Sequence, residues 1–229
     1  MICKRRSHYW QSGFCGVGFA SRIRGLGLSD AGKPYHREDL RGDLVRAGRH
    51  FVAENGYHAL SVRTLASMVG VSAAAPYRHF ADRRSLLLAI AIDGYADLVA
   101  TARAINAAAQ SPEAALIAAG LGYLEFVATN PRLAELMYES ELTSPRIDPA
   151  LLEYQRIGQD VLTKPLRAAA PDCDEEDLSI RVLALWSLIY GFATLRKRQM
   201  VVEFVPYSIG DEDVARRMIT LAVHAAIKG

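Results

Sequence analysis

The sequence predicts an all-α protein of nine helices, with a small N-terminal head on a larger helical body. Three observations carry that prediction. From His36 onward, apolar residues recur with the 3.6-residue period of amphipathic helices. Cap residues and N1 prolines punctuate the chain at helix-length intervals. Strand-favouring composition is confined to Met200–Val205. With 51% hydrophobic and 23% charged residues, the 229-residue chain has ample material for a packed core, which excludes global disorder and the collagen-like and disulfide-scaffold classes. No apolar run approaches the ~20 residues that cross a bilayer, so no membrane partner is expected.

Residues 1–34 are expected to form a flexible extension, glycine-rich and opening on Lys4-Arg5-Arg6. The Phe14–Ala20 stretch after the basic residues has the outline of a secretory signal, but it is barely long enough, is broken by two glycines and lacks a small-x-small cleavage site, and Gly16-x-Gly18 completes no dinucleotide fingerprint. The head is assigned to 35–82. Leu40, Leu44, Ala47, Gly48 and Phe51 share one face of its first helix, which Gly56 ends. Ser61 caps a short helix with Val62, Leu65, Ala66 and Val69 on one face, and Gly70 stops it. Ser72 then caps a second short helix through His79. Pro76 should tighten or distort its first turn, because proline removes a backbone donor and biases Ala75 away from the helical region.

The body is assigned to 83–229. Asp82 caps a helix running from Arg83 to about Ala107, and Ser111-Pro112, Asn130-Pro131 and Asp148-Pro149 are cap-plus-N1 starts for three more. Pro165 is expected to kink the last of these. Asp174–Asp177 form an acidic first turn of a helix reaching about Arg198, whose basic end complements the macrodipole. Asp211 opens the final helix.

Charge divides the chain as the helices do. Residues 1–90 hold 14 Lys/Arg against 6 Asp/Glu, and 91–229 hold 13 against 19. A basic head suits a polyanion, and an acidic body suits another task. The three widely spaced cysteines, Cys3, Cys15 and Cys173, contain no Cys-x-x-Cys pair, which argues against structural zinc and for a reducing, cytoplasmic setting. The histidines share no metal-ligand spacing and no catalytic triad stands out, so neither metal nor cofactor nor catalytic residue is assigned.

Two short capped helices joined by Gly70-Val71-Ser72 have the length and turn chemistry of a helix-turn-helix, whose second helix enters a DNA major groove. The text from Leu60 to Ser72, followed by Pro76-Tyr-Arg-His-Phe80 and Asp82-Arg-Arg-Ser-Leu-Leu87, resembles the DNA-binding head of TetR-family transcriptional repressors. Trp186-Ser-Leu-Ile-Tyr-Gly191 is similar to a Trp…Gly signature in the C-terminal domain of one branch. The resemblance implies a homodimer that binds a near-palindromic operator and is released by a small-molecule effector. It also implies backbone contacts from Tyr77 and His79, a phosphate grip from Arg83, and hydroxyl contacts from Ser61 and Thr64.

Residue chemistry is consistent with these roles. Arg83 and Arg84 supply charge and Tyr77 a hydroxyl for phosphate oxygens, with a solvated helix face as the alternative for the two arginines, and His79 and Phe80 also suit packing. The family's usual base-reading positions are here Ala73, Ala74 and Ala75, which offer only methyl contacts to thymine. Arg78 is then the expected guanine reader, with Ser72 a lesser contact, and specificity leans on DNA shape.

In the body, Tyr123, Phe126, Met137, Tyr138, Tyr154, Trp186 and Tyr190 suggest an apolar effector cavity with hydrogen-bonding tips. Without clustered positive charge among them, a neutral or cationic aromatic ligand is expected. By the same resemblance, Leu178, Val182, Leu185 and Ile189 of the penultimate helix, with Val214, Met218, Leu221 and Ala225 of the last, form a four-helix dimer interface; stripe logic alone does not separate dimerisation from core. Two other readings stay open: a helical small-molecule-binding protein or enzyme with an idle helix-turn-helix, and a DNA-compacting protein without sequence preference.

Overall fold

The computed structural model describes residues 39–205 and 209–229, so the extension expected over 1–34 lies outside the described residues. Six of the eight α-helices among the described residues start where a side chain satisfies one of the first free N–H groups. Asp39 accepts from Gly42 N (2.9 Å) to start α1, Leu40–Asn55, and Ser61 caps α2, Val62–Val69. Asp82 and Ser85 form a reciprocal capping box at the start of α3, Arg83–Ala108. Ser111 caps α4, Pro112–Thr129, and Asp148 caps α6, Pro149–Ala169. Asp174 caps α7, Glu175–Lys197, and α8, Asp211–Lys228, follows Gly210.

Four elements differ in detail from the sequence reading. The third of the nine expected helices is a single 3-10 turn, Ala75–Arg78, which leaves eight α-helices among the described residues. Asn130 and Pro131 do start α5, Pro131–Tyr138, but the Asn130 side chain makes no cap bond; its amide instead donates to Phe126 O at 3.2 Å at the end of α4. The strand-favouring run contains a second 3-10 turn, Val201–Glu203. In α1 the buried residues are Leu44, Val45, Gly48 and Val52, a face rotated from the expected one, with Leu40, Ala47 and Phe51 only partly covered.

Helix α3 is the spine of the molecule. It packs on α4, α5 and α6 and, near its start, on α1. Helix α4 packs on α6, α7 and α8 and lies at the centre of the body, where Gly120 lets Ile219 of α8 approach; a Cβ there would sit 2.8 Å from the Ile219 side chain. By length and composition α3 and α7 could each cross a membrane, contrary to the expectation from apolar runs. Each commits an apolar face to the core instead: Leu86, Leu87, Ile90, Tyr95 and Val99 on α3, and Leu178, Val182, Leu185, Ile189 and Phe192 on α7.

Candidate DNA interface and effector site

The head is built to expose one short segment. Gly70 adopts φ +76°, and Val71 N donates back to Ala66 O (2.9 Å), a Schellman closure that reverses the chain after α2. Ser61 Oγ accepts from Thr64 N at 3.0 Å and lies 2.7 Å from Thr64 Oγ1, so both hydroxyls take part in the cap that fixes α2. The next turn is held from below by buried Pro76 and Phe80, and Phe80 N and His79 N both donate to Pro76 O. This anchoring leaves Ser72, Ala73, Ala74, Tyr77, Arg78 and His79 all exposed on one short loop and turn. Pro76 is the reason for the 3-10 geometry, because it cannot donate to a preceding carbonyl.

The head's cations divide into two sets. Arg78 and Arg63, the latter on exposed α2 surface and missed by sequence reasoning, have no carboxylate partner among the described residues. Arg41 stacks over the Phe80 ring (5.6 Å). Arg83 and Arg84, expected to grip phosphate, are already engaged. The Arg83 guanidinium donates to Leu60 O (2.8 Å), Tyr57 O (2.7 Å) and Glu141 Oε1 (2.5 Å), and Arg84 pairs with Asp148 at 3.1 Å. Arg83 thus joins the α1–α2 loop to the start of α3, a long-range role that no local pattern reveals.

Two further arginines tie head to body. Arg49 of α1 reaches Asp93 (2.7 Å) and Asp97 (2.6 Å) of α3; burial works against its charge, but hydrogen bonds and Coulomb attraction from the two carboxylates outweigh it and raise its pKa. Arg132, in the first turn of α5, donates to Ala53 O and Glu54 O at the end of α1, satisfying carbonyls the helix leaves open.

In the body, Tyr123, Tyr138, Trp186 and Tyr190 do converge, joined by Tyr95, which sequence reasoning missed. Tyr123 and Trp186 meet edge-on at 4.8 Å and Tyr95 and Tyr138 at 5.3 Å. Burial pushes the Tyr95 phenol up to about 12 and raises those of Tyr123 and Tyr138 as well. The rings fill their own space: the cavity bordered by Tyr123, Tyr138 and Tyr190 measures only about 10 Å³, scarcely a water. The expected aromatic cavity is therefore a packed cluster. Phe126 and Met137 are buried core, and Tyr154, on α6, makes no ring contact with the cluster. A cleft of about 510 Å³ opens elsewhere, where the end of α3, the start of α4 and the middle of α6 meet.

The residues expected at a dimer interface fall into two groups. Leu178, Val182, Leu185, Ile189 and Val214 are almost fully buried within the chain and leave no surface for a partner. The opposite side of α7 exposes Ile180 (61%) and Leu183 (59%), and α8 exposes Leu221 (64%) and Ala225, with Met218 partly covered. A helix apolar on both sides is buried on both sides. Here one side faces the core and the other is uncovered in the single chain.

The comparisons agree with this architecture. The family model for bacterial regulatory proteins of the tetR family matches residues 44–90, and that for a tetracyclin repressor-like C-terminal domain matches 116–222. An HTH-type transcriptional regulator of Mycobacterium bovis is 29% identical over 115 residues, 49% of each chain, so this chain spans about half the length of the curated relatives it matches. A solved structure of a protein of unknown function from Rhodococcus sp. RHA1 is 29% identical with TM-score 0.69, covering 86% of this chain and 98% of that one. A tetR-family regulatory protein from Rhodococcus RHA1 is 25% identical with TM-score 0.56, covering 80% and 94%. The Mycobacterium bovis relative and the second Rhodococcus structure are named as regulators, and the chain belongs to the TetR family of helix-turn-helix transcriptional regulators.

Proposed function

We propose that the protein is a cytoplasmic repressor that binds a near-palindromic DNA operator as a homodimer and leaves it when a small-molecule effector binds the body. The observation that carries this reading is the exposed turn from Ser72 to His79, with Arg78 on it and Arg63 on α2 both exposed and without a carboxylate partner among the described residues, while Pro76 and Phe80 anchor the turn from beneath. Arg78 can take guanine through two parallel hydrogen bonds, and the methyl groups of Ala73 and Ala74 suit thymine. Ser72, Tyr77, His79 and Arg63 supply backbone contacts. Ser61 and Thr64 contribute chiefly by capping α2. The uncovered row of Ile180, Leu183, Leu221 and Ala225 is the dimer face, which would set two such turns about 34–36 Å apart on successive major grooves.

A gel shift against the DNA flanking the coding region, in competition with random DNA, tests the reading. Specific binding that weakens by ~10³ or more between 50 and 200 mM salt is expected if at least about six phosphates are contacted. Equal competition by random DNA would indicate compaction instead, and no salt-dependent binding would indicate an idle motif. Loss of the gene should raise transcription from the bound promoter; a fall would reverse the sign of the regulation.

A further inference from the structure

We infer that α7 crosses its own counterpart in a second copy, antiparallel and at a shallow angle, with the two-fold axis beside Ser187. Leu183 of each copy then sits at the level of the notch left by Gly191 of the other. The inference deepens the dimer reading above and rests on it.

Two features of α7 call for a neighbour that the single chain does not supply. From Val182 to Leu195 the helix holds no Asp, Glu, Lys, Arg or His, although Leu183, Ala184 and Ser187 are exposed and Gly191 is only partly covered. A solvent-facing helix side ordinarily carries charge. Gly191 is the second feature, because glycine in the middle of a helix is unfavourable relative to alanine. Elsewhere in the body the reason is visible: a Cβ at Gly94 would lie 2.9 Å from the Met137 sulfur, and one at Gly120 2.8 Å from the Ile219 side chain. A Cβ at Gly191 would meet no atom within 4 Å among the described residues. The notch is open, and nothing in its own chain uses it.

The face is also complementary to itself, which points to a second copy as its occupant. Leu183, an exposed knob, and Gly191, the notch, lie four residues to either side of Ser187, about 6 Å along the axis. Glu176, in the acidic first turn, and Arg198, at the basic end, lie eleven residues to either side, about 16 Å away. By the helical period all four fall within about 40° of Ser187 around the helix. Glu176 and Arg198 are both exposed and carry no ion pair among the described residues. Turning one copy end for end about Ser187 therefore brings knob level with notch and acid level with base, twice each, as an isologous contact requires. A crossing near the ~20° of helix bundles keeps the outer charges within side-chain reach. Helices α7 and α8 pack side by side and, at roughly 35 and 27 Å long and ~10 Å wide, offer about 600 Å² in projection, near the ~800 Å² per partner of a standard interface. A lipid surface would use neither the notch nor the paired charges.

Sedimentation equilibrium of the full chain and its variants tests the crossing, with a thermal melt of each to verify folding. Gly191→Leu should raise the dimer dissociation constant at least about tenfold, because filling the notch forces the helices apart. In the Leu183→Asp background, where no dimer is expected, the same change should leave Tm equal or higher; a fall would show that the chain itself needs the glycine and would overturn the inference. Glu176→Arg and Arg198→Glu should each weaken the dimer several-fold at low salt, and the double variant should recover to within about twofold of the parent, since the charges have only changed sides. The crossing is overturned if Gly191→Leu dimerises as tightly as the parent, or if the double variant is no tighter than the single ones. Should Leu183→Asp dissociate the dimer while Gly191→Leu leaves it intact, the dimer reading stands and only the crossing is lost. A parent chain that stays monomeric removes both, and its co-sedimentation with phosphatidylglycerol vesicles would give the face to lipid.

Discussion

Arg83 separates two accounts of the head, because its sequence position suggests a phosphate contact and its hydrogen bonds suggest a clamp. In the structure its guanidinium donates to Leu60 O, Tyr57 O and Glu141 at 2.5–2.8 Å. Hydrogen bonds to a charged donor contribute about 1.5–3 kcal/mol each when well shielded, and the side chain here is one-third exposed, so about 1 kcal/mol apiece is the appropriate discount. Arg83→Leu should therefore destabilise the chain by roughly 2–3 kcal/mol and lower Tm by about 5–10 °C, read by circular dichroism at fixed protein concentration. The salt dependence of operator binding should keep its parent slope, since no phosphate contact is lost. The reasoning is refuted if Tm stays within about 1 °C of the parent while the log–log salt slope falls by about 0.9, the signature of one lost phosphate contact.

Three other perturbations bear on the same architecture. Arg78→Ala should cost about 1–3 kcal/mol in operator binding and relax preference at one base pair, whereas Arg63→Ala should weaken all sequences alike; a selection on randomised half-sites distinguishes them. Leu183→Asp, on the exposed side of α7, should give a folded monomer by light scattering, while Leu185→Ala, 2% exposed on the opposite side, should keep the dimer and lose about 2–5 kcal/mol of stability in urea. The buried Tyr95 phenol, held to about 12 against 10 when unfolded, favours the folded chain fully below pH 10, and that stability is lost as pH rises from 10 towards 12. Tyr95→Phe should flatten the fall in urea midpoint across that interval; an unchanged slope would place the alkaline transition elsewhere.

The local grammar of the helices was legible in the sequence because it depends on neighbours three or four residues away. Caps at Ser61, Asp82, Ser111, Asp148 and Asp174, and the stop at Gly70, each form a hydrogen bond within one turn, so a local reading finds them. Pro76 likewise announced a distorted turn, although not that the entire recognition element would shrink to a 3-10 turn. Legibility ended where a residue's role depends on distant partners. Arg83 suggested a phosphate contact or a solvated face, and Arg132 carried no signal at all, because the α1–α2 loop and the end of α1 that they hold lie far away in the chain.

The same limit explains the two misplaced sites in the body. Sequence spacing identified α7 as apolar, but an apolar stripe carries no mark of which neighbour covers it; packing against α4 and α8 claimed Leu178, Val182, Leu185 and Ile189 and left Ile180 and Leu183 uncovered. Aromatic residues on four helices could enclose a ligand or one another, and only the ring-to-ring distances decide between them. By itself the sequence determined the helical class, most element boundaries and the helix-turn-helix pattern of the head, because these follow from short-range hydrogen bonding and periodicity. Tertiary structure alone decided which apolar face is core, which arginines are spent internally and where space remains, because those follow from contacts between residues far apart in the chain.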